Sequence, residues 1–136
     1  MPELPLPALW IGLTAERTST IEAVAHVSRL ASERSSWFAK LCDEATELSQ
    51  DALQALERAA WPELGALLCH GHKLLQRVEV STPALDRLVH VAVDAGAYGA
   101  KLTGGGLGGA VIALVPEDVD LGQAWLSAGA TEVIAP

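Results

Sequence analysis

Apolar positions along this chain fall into blocks of two different periods. Ala8–Leu13, ALWIGL, is a short and nearly continuous apolar run, the pattern of a buried strand. From Ile21 the period lengthens: Ile21, Val24, Ala25 and Ser28 share one helical stripe, widened by Val27, Leu30 and Ala31. Ser19 and Glu22 ahead of it form an S-x-x-E capping box, in which hydroxyl and carboxylate satisfy backbone donors at a helix start. Leu41, Ala45, Leu48, Ala52, Leu56 and Ala59 then keep helical spacing over about five turns. Trp61-Pro62 interrupts, and Pro62 suits the first turn of a third helix whose buried side is Leu64, Leu67, Leu68, Leu74 and Leu75. Ser81 or Thr82 caps a fourth, opened by Pro83 and lined by Leu85, Leu88, Val89 and Ala92, with Gly96 at its end.

Beyond Gly96 the short period returns. AYGAKLT and GAVIALV read as two strands on either side of a glycine-rich loop. Leu121, Ala124, Trp125 and Ala128 make a last helix stopped by Gly129, and TEVIA is a closing strand. The order is one strand, four helices, two strands, helix, strand. Helices gathered in a block predict an α+β fold with the helices on one face of a sheet. Neither a repeat nor an internal linker divides the chain, so residues 1–136 read as a single domain.

Composition narrows the function classes. Half the residues are apolar, which excludes a disordered chain. The charge of −8, from 9 basic and 17 acidic residues without a Lys/Arg run, argues against nucleic acid. The longest uncharged stretch, residues 102–116, is shorter than the roughly 20 apolar residues of a membrane span, and MPELPLP is not a signal peptide. Cys42 and Cys69 follow no metal or disulfide spacing and read as buried thiols of a cytoplasmic protein. His70 and His72 are two apart and point to different sides of a helix, while His26 and His90 stand singly. They read as surface or satisfied histidines, and no metal site is expected. Asp86, Arg87 and Asp94 read as solvated helix positions, and Trp10, Trp37, Trp61 and Trp125 as core or domain-interface anchors.

The chemistry that stands out is KLTGGGLGGA, Lys101 to Ala110. Clustered glycines let backbone N–H groups turn inward into a concave anion nest. The loop is not a P-loop, because Lys101 precedes the glycines. A G-x-G-x-x-G pattern over Gly104, Gly106 and Gly109 leads into a strand where a dinucleotide site opens a helix.

With its setting, this loop resembles the third signature motif of the GHMP kinase superfamily, and of its mevalonate kinase branch most closely. Upstream, His72-Lys73-Leu74-Leu75, Val78–Ser81 and Leu85-Asp86 match the branch's N-H-x-L-L, L-G-V-S and L-D segments, and LWIGLTAERTSTIEAVAHV matches its strand and following helix start. Gly71, Glu79 and Ala110 replace that branch's asparagine, glycine and cysteine. The resemblance implies a C-terminal α+β domain with a four-stranded, mainly antiparallel, ferredoxin-like sheet and helices packed on one face. It implies ATP and Mg²⁺ as cofactors, a small-molecule alcohol as substrate, and an N-terminal kinase domain as partner. That partner would carry the family's phosphate loop and catalytic groups, none of which occurs in this sequence. Carried over residue by residue, Lys101, Thr103, Gly104, Gly105, Gly106, Gly108 and Gly109 would support the nucleotide phosphates. Thr20 would lie near the transferred phosphate and the substrate, and no catalytic residue or metal ligand is expected in this half. The alternative is a non-catalytic domain that binds a small anion, or a second copy of itself as a homodimer, through the same surface.

Overall fold

The computed structural model describes residues 7–16, 20–104 and 106–136. They form β1 (Ala8–Leu13), α1 (Thr20–Glu33), α2 (Ser35–Glu57), α3 (Trp61–Arg77), α4 (Pro83–Asp94), β2 (Gly99–Thr103), β3 (Ala110–Val115), α5 (Gly122–Ser127) and β4 (Glu132–Ile134). This is the order that the change of period predicts. The strands make one antiparallel sheet in the order β2-β3-β1-β4. Each outer strand lies parallel to the strand two places away, which is the interleaved βαβ arrangement of ferredoxin-like folds.

Register assigns the two faces. Trp10 and Gly12 of β1, Val111, Ala113 and Val115 of β3, and Ala100 and Leu102 of β2 share the helical face and are buried. Leu85, Leu88 and Ala92 of α4 complete this core, with Trp125 of α5 fully buried. Gly12 makes room for that indole, since a Cβ there would stand 2.8 Å from Trp125 Cε3. The indole N–H is satisfied by the Leu88 carbonyl at 2.9 Å. Thr82 caps α4 by accepting the Leu85 N–H, and Pro83 opens it.

The opposite face is largely apolar and, among the described residues, only partly covered: Ile11 and Ile112 are half-buried and Leu114 is buried. Lys101, Ile112, Ile11 and Ile134 stand in one row across all four strands, with Leu9 beside them. Leu9 is 47% exposed and Ile134 44%. An antiparallel sheet can present one face to water, but such a face is ordinarily polar.

α3 lies along β2, α2 packs on α3, and α1 on α2. The α3–β2 contact is backbone to backbone: a Cβ on Gly99 would overlap the Gly65 carbonyl, and one on Gly65 would overlap Tyr98. The helix can approach so closely only because both positions lack a side chain.

Three expectations need correction. The Ile21–Val24 stripe of α1 faces outward, with Ile21 81% and Val24 58% exposed, while Ala23 and Leu30 are buried. On α2 the buried side passes from Leu41 to Ala55, leaving Leu56 exposed. Cys42 is exposed on α2 because it lies one residue past Leu41, outside the buried stripe. The capping box involves Ser19, which lies outside the described residues.

Gly99→Ala is expected to destabilise the chain by on the order of 3 kcal/mol, as overpacking at a rigid contact does. Gly71→Ala, on α3, meets its nearest neighbour, Leu48 Cδ2, at 3.4 Å and is expected to be close to neutral. Urea denaturation of the two variants measures the contrast.

Candidate functional site

The glycine loop connects β2 to β3 in a backbone shape that ordinary residues resist. Gly104, Gly106, Gly108 and Gly109 all have positive φ, between 85° and 124°, and Leu107 between them has φ 58°. Two of these glycines are demanded by neighbours. A Cβ on Gly106 would stand 2.7 Å from Val80, and one on Gly108 2.7 Å from Glu16 Cβ. Gly104 and Gly109 have nothing within 4 Å on that side, so their open faces are the ones available to a ligand.

Hydrogen bonds pin the loop at its β3 end and at its tip. Thr14 N donates to the Gly109 carbonyl at 2.7 Å, and Gly109 N donates to Thr14 Oγ1 at 3.1 Å. Leu107 N donates to the Val80 carbonyl in the α3–α4 connection. The N–H groups of Leu107 and Gly109 are therefore engaged within the protein. An open cleft of about 410 Å³ runs beside the loop, lined by Thr14, Glu16, Gly108, Gly109, Thr131 and Glu132 among others. Glu16 accepts the Thr82 hydroxyl at 2.6 Å. Two carboxylates thus flank the cleft, and an anion entering it needs positive charge from elsewhere.

The other sequence-derived residues take separate places. Thr103 ends β2, opposite Ala110. Gly105 lies outside the described residues. Thr20 opens α1 and is exposed, and the chain leading to it passes the loop at Glu16. Lys101 turns along the sheet edge: its stem lies against Gly71 and its Nζ donates to the Leu102 carbonyl at 2.8 Å. Burial lowers its pKa.

Asp86 is partly exposed, but it is more than a solvated helix position. Its Oδ1 accepts from Ser81 Oγ at 2.6 Å, Gln76 Nε2 at 2.9 Å and His72 Nε2 at 2.8 Å. Burial alone would raise its pKa, but the hydrogen bonds from Ser81, Gln76 and His72 outweigh it and hold the carboxyl below its ordinary value. Buried His72 accepts the Leu102 N–H on Nδ1 at 3.1 Å, so its proton sits on Nε2. Of the remaining histidines, His70 bonds Glu44 and His90 pairs with Asp94 at the surface, while His26 is half-buried, its Nε2 enclosed without a hydrogen bond and 3.8 Å from Glu79. No metal-holding cluster occurs among the described residues. No helix there is long and apolar enough to cross a membrane.

With this geometry in hand, comparison with known proteins is specific. The family model for GHMP kinases, C terminal, matches residues 52–131, and the chain belongs to that family. It is 36% identical over 142 aligned residues to the mevalonate kinase of Thermococcus gammatolerans, covering 98% of this chain and 42% of that protein. It is 44% identical over 69 residues to the galactokinase of Mycobacterium bovis, covering 50% of this chain and 19% of that protein. Among solved structures, the L. major mevalonate kinase in complex with R-mevalonate superposes with a TM-score of 0.87 at 27% identity. That match covers 95% of this chain and 41% of the other. The chain therefore spans about two fifths of the length of the mevalonate kinases it matches.

The Asp86 carboxyl, held below its ordinary value of 3.8, contributes stability that is complete above that value and lost as the pH falls through its lower folded-state value. The stability difference between the unmodified chain and Asp86→Asn is expected to be constant near neutrality and to shrink below about pH 4. Denaturant midpoints measured along a pH series check this.

Proposed function

We propose that the chain is the C-terminal half of an ATP-dependent GHMP-family small-molecule kinase, with mevalonate as the phosphate acceptor. The observation that carries the reading is the superposition on the L. major mevalonate kinase, solved with R-mevalonate, over nearly the whole of this chain. The left-handed glycine loop supports it, because Gly108 and Gly109 line an open cleft and the Cβ sides of Gly104 and Gly109 are unobstructed. In this reading residues 1–136 form one domain. Thr103, Gly104, Gly105, Gly106, Gly108 and Gly109 shape the phosphate-side cradle, Lys101 stands at its β2 stem, and Thr20 helps orient the reacting groups. Phosphoryl transfer asks chiefly for positioned donors and cations around the phosphates. Mg²⁺ arriving with the nucleotide would supply cationic charge that a cleft flanked by Glu16 and Glu132 lacks.

An N-terminal kinase domain is the proposed partner, bringing the catalytic groups. The row of half-buried Ile11 and Ile112 with exposed Ile134 and Leu9, and the outward Ile21 and Val24, favour a large apolar partner surface. The same row favours the second reading, a self-associating domain without catalysis. The assembled kinase would act in the cytoplasm.

Two measurements decide between them. Titrated with Mg-ATP to about 10 mM, a concentration that reveals even a dissociation constant of about 1 mM, the ¹⁵N-labelled chain is expected to shift amides in Gly104–Gly109 and around Thr20. No shift in the loop at that concentration would mean that the loop forms no nucleotide site without the partner domain. Joined to the N-terminal domain of the Thermococcus gammatolerans mevalonate kinase, the chain is expected to support ATP-dependent phosphorylation of mevalonate, and Gly106→Val to abolish it. A folded, inert fusion, with the unfused chain sedimenting as a dimer, would favour the second reading. Turnover of galactose but not mevalonate would leave the kinase and change its substrate.

A further inference from the structure

The connection between α3 and α4 is what the glycine loop leans on, and polar groups outside the cleft hold it down. Val80 receives the Leu107 N–H and fits against Gly106, and Glu79 before it adopts φ 63°. Ser81, next in the chain, donates to Asp86 Oδ1. That same oxygen takes the His72 Nε2–H, and Nδ1 of the ring takes the N–H of Leu102, one residue before Thr103 ends β2. The tip of the loop, through Val80 and Ser81, and its stem, through Leu102, therefore trace back to a single carboxylate oxygen.

We propose that Asp86 and His72 are positioning residues for the glycine loop: Asp86 fixes the His72 tautomer that receives Leu102, and through Ser81 it fixes the Val80 carbonyl that receives Leu107. The chemistry is directional. With its proton on Nδ1 the buried ring would face the Leu102 N–H donor to donor, leaving a buried backbone group unsatisfied. A carboxylate against Nε2 excludes that arrangement, as it does for histidines that must present one chosen nitrogen. The inference rests on the kinase reading only for what the loop serves. The geometry belongs to the chain without ligand, and so does its test.

The experiment is amide hydrogen exchange and histidine-ring ¹⁵N shifts on the full chain without nucleotide. In the unmodified chain His72 is expected as the neutral Nε2–H tautomer. In Asp86→Ala the ring is expected to become a mixture of tautomers, with the Leu102 and Leu107 amides exchanging about tenfold faster. Ser81→Ala is expected to release Leu107 and leave Leu102 protected. Asp86→Asn keeps an acceptor and is expected to restore the tautomer, a rescue that loss of packing would not produce. Asp94→Asn, which removes the exposed His90 pair on the same helix, is expected to leave both amides unchanged. A folded Asp86→Ala chain with Leu107 and the loop glycines at their original rates overturns the proposal. So does an Asp94→Asn chain that moves them equally. Should Asp86→Ala not fold, Ser81→Ala decides alone, and an unchanged Leu107 rate overturns it. Because nothing is bound, failure of the Mg-ATP titration does not touch this result.

Discussion

The approach of α3 to the edge of β2 is the contact on which the other layers depend. An edge strand presents backbone donors that a packed helix cannot ordinarily answer, because its own backbone groups are used internally. Here the helix answers with a side chain, the Nδ1 of His72, and comes close enough to do so because Gly65 and Gly99 meet without side chains. α2 packs on α3 and α1 on α2, so two further helices hold their places through this one approach. α4 joins from the other side when Asp86 accepts a hydrogen bond from Nε2 of the same imidazole.

The glycine loop inherits that order. Its stem begins at Leu102, the residue His72 holds, and its far side rests on Val80 of the α3–α4 connection and Glu16 of the β1–α1 connection. The loop glycines divide into those that neighbours require, Gly106 and Gly108, and those whose Cβ side is open, Gly104 and Gly109. Glycine count alone does not make that division, since each looks the same in a sequence.

Much of the fold was legible because it is local. Period separates the strands from the helices; Thr82-Pro83 marks the start of α4, and Leu85, Leu88 and Ala92 its buried side. What was illegible depends on partners distant in the chain. Gly65 and Gly99 look like weak points until each is set against the other. Asp86 looks solvated until His72, Gln76 and Ser81 converge on it. The α1 stripe was legible as a stripe, but its orientation was not, because no element among the described residues covers Ile21 and Val24. Family resemblance located the loop and gave no hint of Thr14, Glu16 or Val80 as its supports.

Those supports give the loop a shape before anything binds. Leu107 is held in a backbone conformation that costs a non-glycine residue about 1 kcal/mol or more, and Val80 and Thr14 fix the residues around it. Ordering entropy is therefore spent during folding and not at the moment of encounter. Whatever affinity this half lacks on its own would come from absent contacts and uncompensated charge, not from a floppy receptor.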